Sequence, residues 1–188
     1  MSELLNTSLP APTKQRFAAT LRVVSRSSFW IQLALVSISG IALIFAVFSR
    51  SLSVATDNAS IGFSIFLAVI GVLLAGFNVF WAFRERGLAR RLQSSDRELH
   101  PRKEEVIQAL KIGLIVSFVG MLLAFLASEV SAIAVLSKAL AVPQGVAVYQ
   151  RENVIRSLDI LVILANVNLI GTHLVGSLTS LGLLEWID

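Results

Sequence analysis

At 188 residues, 55% hydrophobic and with a mean hydropathy of +0.78, the chain lies well outside the soluble class. It has no cysteine, which excludes disulfides, thiolate metal sites, iron–sulfur clusters and covalent haem attachment, and its two methionines offer no thioether ladder for copper. Sixteen Lys and Arg against twelve Asp and Glu would suit nucleic acid, but the basic residues cluster beside apolar runs and read as topology signals, so no nucleic-acid partner is expected.

Residues 1–28 read as a basic tail. Within it Phe17, Leu21 and Val24 recur at helical spacing while Lys14, Arg22 and Arg26 can face headgroups, which predicts a short helix lying in the membrane interface. The apolar run 29–48 that follows is too long for a signal-peptide core and has no A-x-A cleavage pattern after it. Three more runs, 61–83, 112–136 and 158–178, complete a set of four. A bilayer core needs about 20 apolar residues per helical span, and helices satisfy their own backbone groups in lipid. The expected fold is therefore all-α: a polytopic membrane protein whose residues 29–188 form one four-helix transmembrane domain.

The connections carry their own signals. Residues 50–60 make a short polar turn, and 84–91 continue span two as a charged helical stub. Ser94, Ser95 and Asp96 break that stub, Pro101 marks the start of the next helix, and Glu104 and Glu105 favour its first turn. Span three is expected to run on toward Ala141 before a turn at Pro143-Gln144-Gly145. Twelve basic residues flank the N-terminal segment and the middle loop, against Arg50, Lys138, Arg151 and Arg156 in the other two loops. The positive-inside rule then predicts cytoplasmic N- and C-termini, with Trp30, Trp81 and Trp186 as anchors at that interface.

Span four stands out for a polar stripe. Asp159, Asn166, His173 and Ser180 recur every seven residues, which places them on one helix face over roughly 30 Å. With Glu129, about 17 residues into span three and so near the outer interface, where an acid costs little, they are candidates for a transport path. The same period is produced by a helix-packing seam with Asn and His as hydrogen-bonding glue, and both readings stand. Asp159 can pair with Arg156 three residues earlier. Small residues at four-residue spacing (Gly71 and Ala75; Gly120, Ala124, Ser128 and Ala132; Thr172, Gly176 and Ser180) point to close helix contacts and to an oligomer or a subunit of a membrane complex. No nucleophile–base constellation, Walker motif or H-E-x-x-H is present, so no enzyme activity and no resident cofactor are expected.

Several strings then carry a resemblance: Ser28-Phe29-Trp30-Ile31-Gln32-Leu33, Phe80-Trp81-Ala82-Phe83 followed by Arg90-Arg91-Leu92, Ser137-Lys138-Ala139-Leu140, and Asn168 with Thr172-His173-Leu174. In this order, from about Phe17 to Leu184, the chain resembles a four-span family of the chloroplast inner envelope. That family has been called both an inner-envelope translocon component and a chloroplast permease. Without a long Ser-rich transit peptide, the chain looks like a cyanobacterial member, in the plasma or thylakoid membrane. The resemblance implies one of two roles: iron permeation, or service as a scaffold or accessory subunit in protein translocation. It matches this chain at Asn168 and His173 but supplies no agreed metal ligands.

Overall fold

The computed structural model describes residues 11–51, 59–92, 94, 101–141 and 157–187. They form four helices: α1 (Ala11–Ser51), α2 (Ala59–Leu92), α3 (Lys103–Ala141) and α4 (Ser157–Ile187). No strand occurs among the described residues. Each helix contains a stretch long and apolar enough to cross a membrane: Arg16–Phe48, Gly62–Leu92, Lys103–Ala141 and Asp159–Ile187.

The helices pack in an antiparallel ring. Ser39 of α1 reaches Ala165 of α4 while Phe17 meets Trp186, so α1 ascends as α4 descends. Ser64 of α2 meets Ala127 of α3 while Trp81 meets Ala109, which sets the same relation for that pair. The start of α1, the end of α2, the start of α3 and the end of α4 therefore share one end, which we call the basic end. It carries Arg16, Arg22, Arg26, Arg84, Arg86, Arg90, Arg91, Arg102 and Lys103.

Packing here inverts the pattern of a soluble bundle. The buried seam of α3 runs through Gly113, Ser117, Gly120, Ala124, Ala127, Ser131 and Ala134, alternating steps of three and four. Such small residues let backbones approach closely where dispersion and hydrogen bonds, not water exclusion, hold helices together. The large side chains face out, among them Ile44, Phe45, Phe66, Leu73, Ile115, Leu122, Ile133 and Leu178. The expected four-residue row on α3 drifts off this seam: Ser128 is half-buried and Ala132 exposed. A seven-residue period, not a four-residue one, keeps a long helix facing its neighbours.

The chain start differs from expectation. Residues 11–28 form no separate interfacial helix, because α1 runs unbroken from Ala11 to Ser51. Phe17 and Leu21 are buried against Ala89, Val106, Leu110, Leu183 and Ile187, and Val24 packs beside them. The other three helices extend equally far at this end, so the apolar positions of the tail meet protein where lipid was expected. Arg16, Arg22 and Arg26 remain exposed on the outside. The turns at 52–58 and at Pro143-Gln144-Gly145, and His100, lie outside the described residues, whereas the stub to Leu92, the start near Pro101 and the extension to Ala141 follow expectation.

A seat this enclosed has an energetic signature. Leu21→Ala is expected to destabilise the detergent-purified chain by about 2 kcal/mol or more through the cavity it leaves. Val23→Ala, at an exposed neighbour, is expected to stay within about 0.5 kcal/mol. Thermal midpoints of the two variants check this, and equal midpoints would restore the interfacial helix.

Candidate functional site

Polar side chains are buried at seven- or fourteen-residue steps on every helix, not on span four alone. The sets are Ser25, Gln32 and Ser39 on α1; Ser64, Asn78 and Glu85 on α2; Ser117 and Ser131 on α3; and Asn166, His173 and Ser180 on α4. They meet along the bundle axis in layers. At the end opposite the basic one, Lys138 Nζ donates to Asp159 Oδ2 at 2.7 Å, both side chains about nine-tenths buried. Arg156, the expected partner of Asp159, lies outside the described residues.

One layer deeper, the Ser64 and Ser131 hydroxyls touch each other and converge on the Ala127 carbonyl, each 2.9 Å from it. Asn166 Nδ2 lies 3.5 Å from Ser131 Oγ, and Ser39 Oγ donates to the Ala165 carbonyl at 3.0 Å. All four helices thus contribute to this layer.

The central layer is built on Asn78. Its amide N–H groups donate to Ser117 Oγ at 2.9 Å and to His173 Nδ1 at 3.0 Å. An imidazole nitrogen that accepts is deprotonated, so the neutral ring carries its proton on Nε2. That nitrogen has no hydrogen-bond partner. The ring lies flush on the α3 backbone: a Cβ at Gly120 would collide with it, and one at Gly176 would come 2.5 Å from Ser117 Oγ. These two glycines set how close α3 and α4 approach.

Below it, Gln32 Nε2 donates to Ser28 Oγ at 2.6 Å, and Trp81 Nε1 donates to the Ala109 carbonyl at 2.7 Å. Glu85 is buried beside them at 5% exposure. Trp81 is accordingly no interfacial anchor: it is 8% exposed, stacked on Phe77, with its N–H satisfied by α3. Trp30 and Trp186 do face outward, at 58% and 43% exposure.

The stripe residues Asn166, His173 and Ser180 therefore face neighbouring helices, as a packing seam requires, and Asp159 closes its top. Glu129 stands apart, exposed on the outer side of α3. Asn168 is half-buried, and its carbonyl accepts the Thr172 hydroxyl at 2.9 Å. Among the described residues no three His, Cys, Asp or Glu side chains gather into a metal-binding group. Sequence reasoning missed Gln32, Asn78, Glu85 and Ser117. The same seven-residue test that found the α4 stripe, applied to α1 and α2, finds the first three.

The family model described as protein of unknown function (DUF3611) matches residues 11–188. Protein TIC 21, chloroplastic, of Arabidopsis thaliana is 28% identical over 183 residues, which cover 93% of this chain and 60% of that protein. The chain thus spans less than two thirds of the curated relative's length. No solved structure matches it.

If the central layer depends on close approach, Gly120→Ala is expected to displace the His173 ring and cost about 1–3 kcal/mol. Gly76→Ala, where a Cβ meets nothing within 4 Å, is expected to be neutral or slightly stabilising. Thermal unfolding of both variants in one detergent decides the matter, and an unperturbed Gly120→Ala would remove the close contact.

Proposed function

This chain belongs to the DUF3611 family, and from its four membrane-crossing helices and the resemblance noted above we propose a permease-like membrane subunit that moves a metal cation, with iron the first cargo to test. The supporting observation is Glu129, an acid exposed on α3 within the apolar run 112–136. Carboxylate oxygens suit hard or borderline cations such as iron and manganese. The resemblance noted above adds iron specifically. Iron is treated as cargo, not as a cofactor.

The axial polar core is closely packed within one chain, so we put the permeation route between protomers of a homo-oligomer. Glu129 favours that arrangement, because a carboxylate within a membrane span normally faces protein or a water-filled cavity. By the positive-inside rule the basic end is assigned to the cytoplasm, of a cyanobacterial plasma or thylakoid membrane.

A second reading rests on the same residue. If the α3 face carrying Glu129 meets a different subunit, the chain is a scaffold or a translocation accessory, and its polar core serves packing alone.

Reconstituted vesicles and native mass spectrometry separate the two. The permease reading expects iron entry above protein-free vesicles, a homo-oligomer, and at least about tenfold lower flux in Glu129→Gln with an unchanged thermal midpoint. Absent flux, with stoichiometric foreign subunits co-purifying, would overturn it in favour of the scaffold.

A further inference from the structure

Near the basic end the polar core leaves a cleft lined by Gln32, Asn78, Trp81, Glu85, Ser117 and Ser180, among others. It encloses about 10 Å³, close to the space one water-sized guest needs. Gly113 forms its floor. A Cβ there would lie 3.4 Å from Glu85 Oε1, 3.3 Å from Ser180 Oγ and 3.1 Å from Trp81 Cδ1, so three groups converge above a residue without a side chain.

Two amide oxygens of the cleft lack a donor. Gln32 uses its amide N–H on Ser28, and Asn78 uses both of its own on Ser117 and His173. Gln32 Oε1 and Asn78 Oδ1 are left buried with no partner. Glu85 forms no ion pair within the described residues, although arginines flank it in sequence. Arg84 turns away to lie 4.5 Å over the Trp81 ring. Arg86 lies 4.2 Å over Phe29 and donates to the Arg26 carbonyl at 3.0 Å. The nearest charges on the other elements, Arg22 and Arg26 on α1, Lys111 on α3 and Glu185 on α4, are exposed on the outside of the bundle.

Two buried amide oxygens without a partner, beside a buried acid with no ion pair among the described residues, are costly unless a donor or a cation joins them. We infer that this cleft binds one univalent, sodium-sized cation on the Glu85 carboxylate, with the amide oxygens of Gln32 and Asn78 turned to the same space. One carboxylate balances one positive charge. Oxygen donors favour a hard cation, and a volume of about 10 Å³ suits a small one. A divalent ion lacks the second acid it would need here. The inference does not rest on the transport reading, because a scaffold can hold such an ion as firmly as a permease.

Binding is read without flux. The full chain, purified in detergent with choline chloride holding ionic strength constant, is titrated with radiolabelled sodium and followed by thermal unfolding. The expected result is one sodium per chain, a midpoint that rises to saturation with sodium, and a weaker response to potassium. Glu85→Gln and Gly113→Ala, which removes the charge and fills the floor respectively, are expected to weaken sodium binding at least tenfold. Glu129→Gln is expected to retain it. Should Glu85→Gln fail to fold, the stoichiometry of the native chain and the Gly113→Ala variant still decide. No saturable sodium binding by the native chain would overturn the inference. So would an infrared carboxylic-acid band assigned to Glu85 that sodium does not displace.

Discussion

The constraint on which the whole bundle depends is that its buried polar groups must meet across helices. In lipid the exterior is as apolar as any protein core, so burying Leu against Leu gains little. What holds four helices together is close backbone approach and hydrogen bonds that lipid cannot replace. The contact of His173 with Gly120 and Asn78 carries both. Gly120 brings α3 against α4, Asn78 ties α2 to the pair, and Ser117 is held in place by the same amide. The hydroxyl cluster at Ser64 and Ser131 repeats the device one layer away, with Ser39 extending it to α1.

Seven-residue spacing follows from that constraint. A straight helix drifts about 20° per heptad, so a strict period keeps the polar face on its neighbours only if the helices wind gently around one another. Four helices obeying the same period produce layers rather than scattered bonds. A layered core is closed by construction, because the hydroxyls and amides that would line a channel lie buried against the facing helices. This is why the permeation route is assigned to an interface between chains, and why Glu129, outside the layers, gains interest as the axial stripe loses it.

Four spans, their antiparallel order and the α4 stripe are legible in the sequence because each is written in strong contrasts. Apolar runs stand against charge clusters, and Asp, Asn and His stand out among Leu and Val. The stripes of α1 and α2 are written faintly. Ser25 and Ser39 fit any environment, and Gly71 occupies the heptad position between Ser64 and Asn78 without a polar mark. Glu85 is hidden for another reason. Set between Arg84 and Arg86, it reads as one charge of a solvated stub. Its burial arises because α1, α3 and α4 continue beside it, a fact of relative helix length that no local window contains. Trp81 is misread by the same omission: a tryptophan at the end of a span belongs at the headgroups unless a neighbouring helix covers it.

The two ends of the polar core are not equivalent in charge. At one end Lys138 and Asp159 neutralise each other at 2.7 Å, leaving no net charge to attract a solute. At the basic end Glu85 is enclosed while the arginines on either side of it turn to aromatic rings. Stacking on Trp81 and Phe29 satisfies a guanidinium without a carboxylate, so these rings remove the partners that Glu85 would otherwise take. The arrangement leaves one buried acid without an ion pair among the described residues. An acid kept from its nearest counterions has room for another, and in the cleft inferred above that counterion is a small cation.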